Sequence, residues 1–180
     1  MNVAETLKWR SFSHPDGEIR DLSFLDAHDV IYTHSANGKP DRYYKFLVTY
    51  SSHCFTKGYP HQSDAQKAAL LYAAPKENRP FCDTRYSLAK IHLREIIESL
   101  GNRKIIHAGY GSYAVVEVEL GEGRKGYYFV VFRTFRERKK LRLHVTSAYP
   151  IAEKPGGHAV SFFTIARNLL NNKSLPHPPK

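Results

Sequence analysis

Cysteine is scarce in this chain, with only Cys54 and Cys82 among 180 residues. Two such residues give neither a disulfide framework nor the paired Cys-x-x-Cys spacing of a zinc site. Long apolar runs are missing as well. The longest stretch of small apolar residues, Ala68 to Ala74, falls far short of the ~20 residues that span a bilayer. The opening residues, Met1 to Arg10, carry no apolar core of a signal peptide. A reducing, cytoplasmic setting without a membrane partner is the expectation. Acidic residues are few: 17 Asp and Glu stand against 27 Lys and Arg, a net charge of +10. Clustered acids for a two-metal nuclease are therefore sparse. No Walker A or dinucleotide fingerprint and no G-x-S-x-G elbow occurs. Neither a metal nor a cofactor is expected.

What is present is positive charge and aromatic surface. A protein this basic commonly meets a polyanion, although charge also serves solubility alone. The charge is concentrated. Between Arg124 and Arg142 lie eight cations (Arg124, Lys125, Arg133, Arg136, Arg138, Lys139, Lys140 and Arg142) against one acid, Glu137. Tyr127, Tyr128, Phe129, Phe132 and Phe135 are interleaved with them. Phosphate contacts plus stacking rings suit nucleic acid. The competing reading is a hairpin with core aromatics and a solvated, charged edge.

Apolar content of 42% supports a folded core. Turn signals at Asp16-Gly17 and Asn37-Gly38 punctuate a mixed N-terminal region in which residues 21–30 read as a short helix or loop. Residues 43–55 read as a strand, with Tyr44, Phe46, Val48, Tyr50 and Cys54 on one face and Leu47 as an exception on the other. Ser63 caps a predicted helix over 64–74, and Asp83 or Thr84 caps a second running to Leu100. The second has the stripe Ala89, Leu93, Ile96, Ile97 and Leu100, with Gly101 placed to end it. Strands follow over 113–120, 126–134 and 140–149, with short connections that favour an antiparallel meander. A final helix spans 160–171, on the stripe Phe162, Ile165, Ala166, Leu169 and Leu170. The fold class is α+β: a single domain over 1–173, an antiparallel β-meander packed with helices, an additional N-terminal strand and a C-terminal helix. Residues 174–180 read as a flexible tail.

The strand Lys140 to Pro150 holds the candidate chemistry. Period-two alternation sets Leu141, Leu143 and Val145 on one face and Arg142, His144 and Thr146 on the other. A metal-independent ribonuclease needs a base, an acid and cations around the phosphorane. His144, flanked by Arg142 and Thr146, leads the candidates; a hairpin that pairs Arg133 opposite or near Arg142 adds a second cation to the face, and Tyr149 ends the strand. The plain alternative is a half-exposed sheet histidine. His107, in Ile106-His107-Ala108-Gly109-Tyr110-Gly111-Ser112, is the second candidate, since a glycine-rich turn brings amides close to a phosphate. His53 adjoins Cys54, but neighbours on a strand face opposite ways, so a Cys/His nucleophile pair is poorly placed.

The helix over 84–100, His107 before a strand, the basic second strand and the ending Val145-Thr146-Ser147-Ala148-Tyr149-Pro150 together resemble the class of toxin ribonucleases that groups barnase, EndoU, tRNA-cleaving colicins and RelE. The resemblance covers residues 84–150. It implies a metal-independent endoribonuclease of toxin or phage-defence type, with His107, Arg142, His144, Thr146 and Tyr149 attacking RNA and an antitoxin as a possible protein partner. The cations from Arg124 to Lys140 would hold the nucleic acid. Two other expectations stand beside it. One is a non-catalytic nucleic-acid-binding or inhibitor module of phage or mobile-element type. The other is a protein-interaction factor docking through the strand 43–55, with Tyr43 or Tyr50 exposed.

Overall fold

The computed structural model describes residues 6–58, 62–109, 112–117 and 126–177. Short strands β1 (Phe12–Ser13) and β2 (Ile19–Arg20) pair antiparallel near the start. The hairpin β3 (His28–Ala36) and β4 (Lys39–Tyr50) follows, turning at Asn37-Gly38, where Gly38 takes φ +72°. Glycine adopts that angle without the steric cost of a Cβ. Helix α1 (Asp64–Ala69) precedes the small hairpin β5 (Leu71–Ala73) and β6 (Asn78–Pro80). One continuous helix then comprises α2 (Asp83–Leu88), a π-helical segment (Ala89–Leu93) and α3 (Arg94–Glu98). Strands β7 (Ile105–His107), β8 (Tyr113–Glu117), β9 (Tyr127–Glu137), β10 (Lys140–Ile151) and β11 (Ala159–Val160) lead to helix α4 (Phe162–Leu170).

Seven strands form the main sheet in the order β11-β7-β8-β9-β10-β4-β3. The α+β class and the antiparallel meander β8-β9-β10 agree with the sequence reading. The sheet is nonetheless mixed, because β4 joins β10 in parallel, with Phe46 beside Leu141 and Thr49 beside His144. The π-helical segment, α3 and α4 pack on one face. Tyr32, Tyr44, Phe46, Val48, Val130, Phe132, Leu143 and Val145 meet Leu93, Ile96, Ile97, Phe162 and Ile165 there in one buried cluster.

Several local expectations change. Ser63 caps α1 in a full capping box with Gln66, but the helix stops at Ala69 and residues 71–73 turn into strand. The N-cap of α2 is Cys82 rather than Asp83 or Thr84, and its side chain makes no cap bond. The stripe from Ala89 to Leu100 is wholly buried. Gly101 does not take a left-handed angle; a Cβ there would stand 2.8 Å from Phe163 Cζ, so its role is close packing against α4. Residues 28–36, with no clean alternation, form edge strand β3. Leu170 is exposed rather than part of the α4 stripe. Within the tail, Leu175 packs against the core and the Pro176 carbonyl accepts a bond from Tyr113 Oη at 3.2 Å.

Candidate functional site

The sheet face away from the helices carries most of the predicted site. Across it, Arg142 lies between Phe135 and Leu47, and His144 lies between Arg133 and Thr49. Arg133, expected opposite or near Arg142, lies directly opposite His144, two residues along the same face. Leu47, Phe129, Val131 and Phe135 on this face are half-buried and lie outside the core cluster.

Beyond Val145 a β-bulge interrupts the β9-β10 register. It accounts for the position of Tyr149. Simple alternation would turn Tyr149 toward the helices, with Leu141 and Leu143. The extra residue at Thr146 reverses the phase, so Ala148 faces the core at 0% exposure and Tyr149 pairs with Phe129 on the outer face. The Phe129 and Tyr149 rings meet edge to face at 5.6 Å, and the Arg85 guanidinium lies 5.1 Å from the Tyr149 ring centre. Thr146 itself serves the bulge, because its hydroxyl donates to the Val131 carbonyl at 3.2 Å.

The other predicted residues are held by neighbours. His144 is 8% exposed, and its Nδ1 shares a 2.9 Å hydrogen bond with the buried Thr49 hydroxyl. Arg133 Nε donates to Ser112 Oγ at 3.0 Å, and Arg142 lies 3.8 Å from the Glu137 carboxylate. His107 does not join them. It pairs with Tyr113, which pairs with Phe132, so it points to the helix-covered face. From His144 it is three strands away, about 14 Å at the usual strand spacing, and on the opposite side of the sheet. Burial holds its imidazole below the ordinary value, and His158 and His177 push the same way. A reaction centre that uses His107 and His144 together is excluded by this geometry.

The structure offers His144 a different neighbour. A cavity of about 130 Å³ is lined by Trp9, Ser51, His53, Lys76, Glu77 and His144 among others. His53 Nε2 contacts the Glu77 carboxylate, which the imidazole holds below the usual range. Sequence spacing missed this pair because Glu77 reaches the end of β4 only through the 74–77 loop. His53 is no partner for Cys54. The Cys54 thiol is fully buried and pushed up to about 12 by burial, which leaves it inert.

At the far end of β9 and β10 the cations gather. Arg138 and Lys139 form the turn, both with positive φ, +47° and +67°. Arg136, Arg138, Lys139 and Lys140 are exposed, with Arg136 donating to the Leu170 carbonyl at 3.2 Å. A groove of about 370 Å³ runs beside Lys139 and Lys140, with Tyr43, Lys45 and Leu47 across it. Arg124 and Lys125 lie outside the described residues. Of the two tyrosines offered as a protein-docking surface, Tyr43 is 65% exposed, whereas Tyr50 is buried in the core. No helix of the described residues is long and apolar enough to cross a membrane.

No solved structure matches the chain. A curated relative, "Protein YjaZ" of Escherichia coli (strain K12), is 62% identical over 176 residues, 98% of either chain. The family model described as the YjaZ family matches residues 10–170, from before β1 to the end of α4. With both matches spanning the whole fold, the chain belongs to the YjaZ family.

Proposed function

We propose that this protein binds RNA at the cationic end of the sheet, led by the β9-β10 turn. The observation that carries the reading is the backbone of Arg138 and Lys139. Two-residue hairpin turns with positive φ at both centres favour Asn-Gly, and a left-handed residue with a Cβ costs roughly 1–2 kcal/mol. A turn that holds two long cations in that conformation gives up stability for charge at an exposed tip. Strain of this kind supports a functional reading. Lys140, Arg142 and Arg133 continue the charge along the outer face toward His144, about 13 Å from Lys140 along the strand. Exposed Tyr43 and half-exposed Phe135 supply rings for base stacking.

The test is a gel shift of single-stranded RNA and tRNA by the full chain. Reversing charge at Arg136, Arg138, Lys139 and Lys140 should abolish the shift. Undiminished binding by that variant would sink the reading, as would the absence of any wild-type shift at low salt.

Cleavage is a second reading, favoured by the cavity that His53 and His144 share. One imidazole would take the 2′-hydroxyl proton as O2′ bonds to phosphorus. The other would protonate O5′ as the P–O5′ bond breaks, giving a 2′,3′-cyclic phosphate and a free 5′-hydroxyl. The likeness to toxin ribonucleases, and with it any antitoxin partner, stands on this chemistry. Incubation with total RNA in EDTA should give cleavage by the wild type and none by His144→Ala or His53→Ala. Equal cleavage by all three would exclude the pair.

A further inference from the structure

A second cationic site lies on the other side of the sheet, where β3 and β4 extend past the core to the start of α4. A cavity of about 200 Å³ opens there, lined by His34, Lys39, Arg42, Ser161, Phe163 and Arg167 among others. His34 and Arg42 are cross-strand partners on the helix-side face, one step beyond the buried pair Tyr32 and Tyr44. The hairpin register shifts between His34 and Ala36, and Lys39 lines the same space. Arg167 comes from α4, about one turn after Thr164, which also lines it. Two elements remote in sequence thus aim three cations at one space. Among the described residues no carboxylate lines the cavity, and none forms an ion pair with Lys39, Arg42 or Arg167.

The walls add two features. Phe163 and His34 lie nearly face to face, with ring centres 4.4 Å apart and planes inclined at 31°. Ser161 occupies the N-cap of α4, but its side chain makes no cap bond. Ser161 and the positive end of the helix border the same space as the cations. Convergent guanidinium groups match the oxygens of a phosphate. The volume is below the 300–1,000 Å³ range of pockets that enclose a drug-sized ligand. It suits a phosphate with its attached sugar, leaving a base against the His34–Phe163 edge.

We propose that this cleft binds the terminal phosphomonoester of a nucleotide. The ligand chemistry is shared by a free mononucleotide and by a 5′-phosphorylated RNA end. The site is separate from the β9-β10 turn and does not depend on the RNA-binding reading. Phosphate and AMP should each bind the full chain, followed by calorimetry and by ³¹P line broadening. Arg42→Gln combined with Arg167→Gln should weaken AMP binding by about tenfold or more, as expected for lost charged hydrogen bonds. Lys39→Gln alone should weaken it less, and serves if the double variant melts abnormally. Charge reversal at Arg138 and Lys139 should leave AMP binding intact, so failure of the RNA reading is told apart from failure here. Tighter binding of a 5′-phosphorylated RNA than of its 5′-hydroxyl counterpart would identify an RNA end as the source. AMP binding with no such preference would identify a free nucleotide. Absence of saturable phosphate and AMP binding, or undiminished AMP affinity in the double and Lys39 variants, would overturn the proposal.

Discussion

Among single residues, His28 shows how burial couples this fold to pH. Burial holds its imidazole below the ordinary 6.5 and Arg94 adds to that, against the opposing Asp26 carbonyl and Glu98 carboxylate. The unfolded chain therefore takes up the proton at a higher pH than the folded one. Stability is lost as pH falls through about 6.5 toward the folded value, because the unfolded state binds more protons there. Urea midpoints measured from about pH 7.5 down to 5 should decline, and His28→Asn should flatten that decline. The Thr49–His144 hydrogen bond is a second residue-level test. Thr49→Val keeps the shape but removes the hydroxyl, and should cost about 1 kcal/mol in urea unfolding. Thr49→Ser should recover most of it. The His144 strand alternation was legible in sequence; its bond to a residue far along the chain was not, because it depends on β4 pairing with β10.

For single elements, the bulge in β10 and the β9-β10 turn each make a separate prediction. Deleting Thr146 would remove the extra residue and let Val145, Ser147, Ala148 and Tyr149 pair in unbroken register with Phe132, Val131, Val130 and Phe129, so Ala148 stays in the core and Tyr149 on the outer face. A cooperative unfolding transition should survive, read by near-UV circular dichroism during a thermal melt, at a cost of about 1 kcal/mol for the lost Thr146–Val131 hydrogen bond. Replacing Arg138-Lys139 with Asn-Gly relaxes two left-handed residues, and should raise stability by about 1–2 kcal/mol. The same change should weaken RNA binding in the gel shift. Stabilisation without loss of binding would mean that the two cations have no part in it. The turn's position was legible from the short gap between two strand patterns. Its backbone conformation was not, since neither Arg nor Lys marks a left-handed position.

Over the whole molecule, the proposed RNA surface predicts a particular salt dependence. Phosphate contacts at Arg136, Arg138, Lys139 and Lys140 imply a salt dependence with a slope of about −0.7 for each single-strand contact. Removing all four should reduce the slope of log K against log salt by about 3. A smaller change would mean that fewer of these cations touch RNA. The α+β class and the antiparallel meander hold, and the departure lies in the direction of one strand. Sequence order suggested an antiparallel sheet, but β4 enters parallel to β10 after the intervening helices. His107 and His144 were drawn together because both adjoin strands of the meander. Face and strand number separate them, and those are set by register rather than by distance in sequence.

The sequence by itself determined the α+β class, the meander, the helical stripes that fill the core and the concentration of charge near the third meander strand. These depend on local periodicity and composition, which neighbouring residues fix among themselves. Only the tertiary structure decided which cations share a surface, that Tyr149 rejoins the His144 face through a bulge, and that His53 and Glu77 border the same cavity as His144. Each of these needs segments distant in the chain to meet at one register, and the core packing that selects that register is not written in any single stretch.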